Sequence, residues 1–317
     1  MISSPATYSS RRNRSLWLWI PGILWGWAIG PIVAQETDGV TVRPLPELRI
    51  GGRPAVVHTQ GIVHLSDQWW VTARREDVHP RRAVLLRWKE GDPTWNSWDL
   101  TPIDTEGKPT PLDHAGGFQE SGGRVWIPVA ESRAHGKSVV RSYNLSQLIP
   151  GQPAIPDSEF PVEDHIGAIA VAAGQKRLFG ANWDTESVYV WDLKGHLERT
   201  ITGAERMDRQ LGVLPIGRPG EGLAVQDWKW TGGQLVASGL ASAPGGTRLR
   251  PAGRVVIFDD LLEPTFRRTA REVPMRGALE LAREAMTPDG TGFWFLPEDL
   301  GPTNRLFHID ALAPARP

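Results

Sequence analysis

The sequence predicts an all-β chain folded as a β-propeller of five blades. Three observations carry this: one short pattern recurs five times, turn residues and Trp are abundant, and no long stretch beyond the N-terminus spaces its apolar residues as a helix does.

The recurring unit is a polar residue, a small residue and an apolar residue, then a short turn and an aromatic or β-branched strand. His58-Thr59-Gln60-Gly61-Ile62 leads to Trp69-Trp70-Val71, and His114-Ala115-Gly116-Gly117-Phe118 leads to Val125-Trp126-Ile127. His165-Ile166-Gly167-Ala168-Ile169 leads to Arg177-Leu178-Phe179, Glu221-Gly222-Leu223 to Leu235-Val236-Ala237, and Glu284-Ala285-Met286 to Phe293-Trp294-Phe295. Aligned on Gly61, Gly117, Ala168, Gly222 and Ala285, the steps are 56, 51, 54 and 63 residues. That period suits four-stranded blades with extended loops. Each unit continues to further strand-like runs, such as Val188 to Trp191 and Leu197 to Ile201 in the third, and Arg254 to Phe258 and Thr265 to Thr269 in the fourth. The fifth unit has a third strand, Asn304 to Ile309, but no fourth. Val40 to Ile50 is the segment free to supply it, with the stretch near Glu47 to Ile50 beside Asn304 to Ile309, which closes the ring and leaves no open edge. A six-bladed ring is the alternative, with extra strands in Glu90 to Pro111 or Gly203 to Pro219.

The 34 Gly, 27 Pro and 15 Trp among 317 residues fit many short strands joined by turns. A formal net charge of -1 gives no support for a nucleic-acid partner. Cysteine is absent, which excludes disulfides, thiolate metal sites, a Cys nucleophile and a lipid anchor on Cys.

Residues 1–34 differ from the rest. Arg11, Arg12 and Arg14 precede an uncharged run of 19 residues, Leu16 to Ala34, that contains Pro21, Pro31 and three Gly and ends in Ile32-Val33-Ala34. This is the layout of a signal peptide cleaved before Gln35, and implies an exported protein in the periplasm or outside the cell. A run of that length also suits an uncleaved membrane anchor, in which case a membrane is a partner. Residues 35–317 then form a single propeller domain.

In a propeller the first strand of each blade runs along the central channel, so the residues that open these strands form a collar. Here the collar reads Gln60, Gly116, Gly167, Glu221 and Glu284, and two residues earlier it reads His58, His114, His165, Pro219 and Ala282. Three imidazoles facing Glu221 and Glu284 are ligand types suited to one divalent first-row metal ion. Two other readings stand beside it: a metal-free pocket for a polar ligand, and histidines that bond to backbone between blades. The loops joining second to third strands open on the same face and bring Arg74-Arg75, Glu131-Ser132-Arg133, Asn182-Trp183-Asp184 and Pro297-Glu298-Asp299 around the mouth. Gln60, Asn182, Trp183 and Asp184 are the expected ligand contacts, with Trp183 suited to a carbohydrate or a cation and equally to packing between blades.

The chain resembles an uncharacterised family of bacterial propeller proteins with repeated His-x-Gly-Gly blade starts and Trp-x-Pro-Val-Ala strands. The matching residues are His114-Ala115-Gly116-Gly117, Val125-Trp126-Ile127-Pro128-Val129-Ala130, Asp164-His165-Ile166-Gly167-Ala168 and Gly180-Ala181-Asn182-Trp183-Asp184. This resemblance implies a propeller and no particular activity. More distantly, Glu221-Gly222-Leu223 is similar to the blade start of gluconolactonase and strictosidine-synthase propellers, where the resemblance implies a cation on Glu221. The other cation ligands of those lactonases are His or Gly here. Two function classes follow: a hydrolase or lyase acting on a small polar or sugar-like molecule with a metal on the collar, and a non-catalytic module that binds a ligand or another exported protein.

Overall fold

The computed structural model describes residues 35–37, 39–214, 222–242, 249–258, 261–262, 270–273, 279–297 and 299–311. The chain forms a five-bladed β-propeller. Blade 1 holds Val57–Leu65, Gln68–Arg75, Arg82–Lys89 and Asn96–Asp99, in that order from the axis outward. Blade 2 opens with a broken inner strand, Leu112–Ala115 and Gln119–Ser121, both paired to Arg124–Glu131, and continues with Ser138–Asn144 and Ser158–Val162. Blade 3 is Ile166–Ala172, Arg177–Asn182, Val188–Asp192 and Leu197–Ile201. Blade 4 is Leu223–Thr231, Gln234–Ser242, Leu249–Phe258 and Ala270–Glu272.

Blade 5 joins the two ends of the chain. Ala285–Pro288, Gly292–Leu296 and Asn304–Asp310 are completed by Val40–Leu45 and Gln35–Thr37. The closing strand runs antiparallel to the last one, from Val40 opposite Ile309 to Leu45 opposite Asn304. Closure therefore falls earlier in the chain than Glu47 to Ile50. Pro46 cannot donate to a ladder, and Arg49–Ile50 instead pairs with Arg53–Pro54 across a turn in which Gly51 and Gly52 have φ of 61° and 77°. The loops expected to hide a sixth blade hold the outer strand of blade 1 and a short helix, Gly203–Asp208. Thr265 to Thr269, expected as the outer strand of blade 4, lies outside the described residues. So do the leader-like residues 1–34. Among the described residues no helix is long and apolar enough to cross a membrane.

Local sequence explains the blade geometry. The inner hairpins of blades 2 and 4 turn on Gly122-Gly123 and Gly232-Gly233, all four with positive φ, as a tight primed turn demands. Side chains alternate between the two faces of each blade. In blade 1, Trp69, Val71 and Ala73 pack with Leu296 and Leu306 of blade 5, whereas Trp70 packs with Phe118, Val125 and Ile127 of blade 2. The described residues form five such apolar clusters, one between each pair of neighbouring blades. The interior of the protein is thus a ring of inter-blade seams, and the residues at its centre are left to the channel.

Candidate collar site in the central channel

The collar is built by a repeated β-bulge. In blade 1, Thr59 pairs with Ala73 and Gly61 with Thr72, so Gln60 is left out of the ladder. Blade 3 skips Gly167 between Ile166 and Ala168, and blade 4 skips Gln226 between Val225 and Asp227. An extra residue bends the strand and re-aims its side chains. In blade 2, Gly116 stands after the Leu112–Ala115 segment with its N–H donated to the Pro128 carbonyl (2.9 Å), and in blade 5 Glu284 directly precedes the inner strand. The collar is therefore Gln60, Gly116, Gly167, Gln226 and Glu284. Glu221, expected at this place, lies outside the described residues, and the register of blade 4 puts Gln226 there. Gly222 has the spelling of the small residue, but the residue at that place in the blade 4 ladder is Asp227.

Directly below the collar the channel is filled. The Gly117 N–H donates to the Gly167 carbonyl (2.8 Å) and the Ile169 N–H to the Gly117 carbonyl (2.9 Å), joining blades 2 and 3 across their inner strands. A Cβ on Gly116 would lie 2.2 Å from the Gly167 oxygen, and one on Gly117 would lie 2.6 Å from the Gln226 oxygen. Asp227 is fully buried at this level. One of its oxygens accepts from the backbone N–H of Ile62 (3.2 Å) and of Met286 (3.1 Å), in blades 1 and 5. The other meets the ammonium of buried Lys229, which also donates to the Phe118 carbonyl of blade 2 (2.7 Å). This ion pair touches four blades. Its signal in the sequence was a carboxylate and an amine two apart in Val225-Gln226-Asp227-Trp228-Lys229, a strand otherwise buried on both faces.

Above that floor is a cavity of about 300 Å³, and His58, Gln60, His114, His165, Asn182, Trp183 and Asp184 all line it, with Arg74 and Gln226. His114 is buried and both of its nitrogens are used. Arg74 Nη1 can only donate, so Nδ1 of His114 accepts from it (3.2 Å). Nε2 therefore carries the proton and donates to Gln60 Oε1 (3.0 Å), while the Gln60 amide donates to the Thr59 carbonyl (3.0 Å). Burial, and then the His165 and Arg74 charges, hold the His114 pKa well below the usual imidazole value. His165 donates Nδ1–H to the Glu131 carbonyl (2.6 Å), which leaves Nε2 with a lone pair, and burial lowers its pKa too. The rings of His114 and His165 stand 5.2 Å apart, and Trp183 meets His165 edge-on at 4.6 Å.

His58 differs. Its Nδ1 lies 2.8 Å from Asp299 Oδ1, and that bond raises its pKa against the opposing effect of burial. Arg74, directly opposite His58 in the ladder, is seated by Glu76 (2.6 Å) and the Ser132 hydroxyl (2.8 Å). Glu284 interacts with His58 but stands outside the cavity wall, with Oε2 buried and no hydrogen-bond partner for it among the described residues. Burial pushes its pKa up to about 7.

The Asn182 to Thr185 loop is held from both sides. Asn182 donates to Asp164 Oδ2 (2.7 Å) and accepts from the Ser187 N–H (2.8 Å), and Thr185 Oγ1 accepts from the Val225 N–H of blade 4 (2.8 Å). Asp184 and Thr185 have φ of 54° and 53°, a left-handed conformation that costs a non-glycine residue of order 1–2 kcal/mol. The strain turns Asp184 into the cavity, where burial raises its pKa.

His58, His114 and His165 line the same cavity. Among the described residues no group of three or more His, Asp or Glu side chains forms a metal-binding cluster. At His114, Arg74 occupies the lone pair a metal would need. Arg74 and Gln226 complete the wall, and Asp299 holds His58 from behind it. Arg74 and Asp299 were legible only as mouth residues, and Gln226 was hidden by the register error.

The neutral state of His114 makes a pH prediction. A base with a lowered folded pKa gives stability that is present above its unfolded pKa, 6.5, and is lost as pH falls below it. Raised acids such as Glu284 act in the opposite sense, so the informative quantity is the difference between wild type and variant. The stability advantage of wild type over His114→Gln should shrink by about 1.4 kcal/mol per pH unit on acidification below 6.5. Urea titrations at several pH values measure it, and a constant difference would contradict a neutral His114.

A family model described as a family of unknown function (DUF6454) matches residues 101–310. No curated protein matches. Among solved structures, the WD40 domain from Toxoplasma gondii coronin is 8% identical, covering 90% of each chain with a TM-score of 0.40. A bifunctional GH43-CE protein of Bacteroides eggerthii is 12% identical over 77% of this chain and 32% of that one, with a TM-score of 0.46. A GH43_1 enzyme from Xanthomonas citri, complexed with xylose, is 11% identical over 83% and 88%, with a TM-score of 0.42. None of these likenesses bears on the chemistry of the cavity.

Proposed function

Because this chain belongs to the DUF6454 family, a family of unknown function, we propose its role from the geometry alone: the collar binds a small, polar, hydroxylated molecule through a carbonyl or carboxylate oxygen. The observation that supports this best is the cavity itself, lined among the described residues by a guanidinium, three imidazoles, three amides and a carboxylate. Its volume, about 300 Å³, is at the lower end of ligand sites and suits a molecule of monosaccharide size. Arg74 supplies the donor for a ligand oxygen, His165 Nε2 and Asp184 accept from hydroxyls, and the half-exposed Trp183 offers an apolar face at the rim. A metal on His58, His114 and His165 is the weaker reading, since it requires Arg74 to leave His114. The leader-like residues 1–34 support an exported location.

The test is calorimetric titration of the purified chain with galacturonate, gluconate and glucose. At least one should bind with a Kd below about 10 mM, and Arg74→Met should weaken it about tenfold or more, whereas Arg199→Met on the outer strand of blade 3 should leave it unchanged. No binding of any of the three, or equal binding by the Arg74 variant, would overturn the reading.

A further inference from the structure

We propose that the collar is also catalytic and hydrolyses a small carboxylic ester of a polar alcohol, with His58 as general base and Arg74 as the cation that holds the carbonyl oxygen. This rests on the binding role just given. His58 lines the cavity and is held at Nδ1 by Asp299 (2.8 Å), which orients the ring and leaves Nε2 to exchange protons. Its ladder partner is Arg74, and opposed residues on one face of a sheet lie about 5 Å apart at Cβ. Base and cation are thus neighbours on the same wall. Among the described residues the cavity lining contains no Ser or Thr, so the nucleophile assigned here is water. With His58 acting as a neutral base, Arg74 is the fixed positive charge among the described lining residues. One such cation matches the single negative oxygen of an acyl-transfer intermediate better than the three oxygens of a phosphoryl group.

In the reaction, His58 Nε2 takes a proton from water as the water oxygen bonds to the ester carbonyl carbon, and the displaced electron pair rests on the carbonyl oxygen beside Arg74. When the ester C–O bond breaks, the imidazolium gives its proton to the departing alcohol oxygen. The products are the acid and the alcohol, and the enzyme is restored. The groups facing His58 are Asp299, Glu284 and Arg74. The two acids raise its pKa and Arg74 lowers it, with the Asp299 hydrogen bond the largest effect. Because the base must be neutral, the rate should rise with pH through that raised value. Asp299 is a positioning residue, so removing it moves this limb to lower pH as well as slowing the reaction.

Hydrolysis of glucose 6-acetate and p-nitrophenyl acetate by the full chain tests this, alongside galacturonate binding by the same preparations. Wild type should exceed buffer, and His58→Gln should lose about 10²-fold or more of kcat with binding retained. His196→Gln, on an exposed turn of blade 3, should keep its rate. Asp299→Asn should show the acid limb displaced to lower pH, which keeps the test available if the His58 variant fails to fold. Binding without hydrolysis in wild type, a His58 variant within threefold of wild type, or an Asp299 variant with an unmoved pH limb overturns the catalytic inference alone. Loss of both binding and hydrolysis in wild type overturns the binding role as well.

Discussion

Replacing Lys229 with Met should destabilise the protein by about 3–5 kcal/mol, because it leaves a buried carboxylate without its counter-charge. Asp227 is fully buried and Lys229 nearly so; burial drives the Asp227 pKa up and the Lys229 pKa down, towards the neutral forms, and each partner's charge opposes that shift. The loss reaches every blade the pair touches. A double change, Asp227→Asn with Lys229→Met, should recover more than half of it. The Asn carbonyl oxygen can occupy the position that accepts from Ile62 and Met286, and no charge is then left to bury. Urea denaturation of the three proteins decides the matter, and a Lys229→Met variant within 1 kcal/mol of wild type would contradict the keystone role.

Gly117→Ala should be nearly as damaging, at roughly 2–3 kcal/mol or more, for a steric reason. The added methyl would stand 2.6 Å from the Gln226 carbonyl oxygen, 2.8 Å from Asp227 Oδ1 and 2.9 Å from the Asp227 Cα, and backbone at the axis has no room to retreat. Gly122→Ala is the comparison. That residue has φ of 63° with nothing within 4 Å of a new Cβ, so only backbone conformation is charged, at about 1–2 kcal/mol. Thermal melts should rank the two in that order, and equal losses would mean that the axis is looser than the contacts imply.

Much of this architecture was legible because a propeller repeats its own physics. The small residues Gly61, Gly117, Ala168 and Ala285 recur because inner strands crowd at the axis, and the aromatic second strands recur because every blade seals two seams. The unpaired third strand of the last unit pointed to closure by the N-terminus, and only the exact segment was misplaced. Blade 4 escaped because Asp227 takes the place of the small residue, and a carboxylate there is tolerable only with Lys229 beside it. Of the site, the shared position of His58, His114 and His165 was readable from register. What each imidazole does was not, since Arg74 on His114 and Asp299 on His58 are meetings between residues 40 and 241 positions apart. The Asn182-Trp183-Asp184 loop was readable as a mouth, whereas its left-handed turn carries no glycine to announce it.

The pairing of Val40–Leu45 with Asn304–Asp310 also constrains how the protein is made. A chain emerging from the ribosome can assemble blades 1 to 4 in order, each from a contiguous stretch. Val40–Leu45 must wait for nearly all of the following chain before its partner Asn304–Asp310 exists. Until then it offers an unpaired edge, and so does the first blade, to any other nascent copy nearby. A premature stop before residue 304 therefore removes more than one strand: it leaves a ring that cannot latch, and such fragments should be held by chaperones or degraded rather than accumulate as shorter propellers.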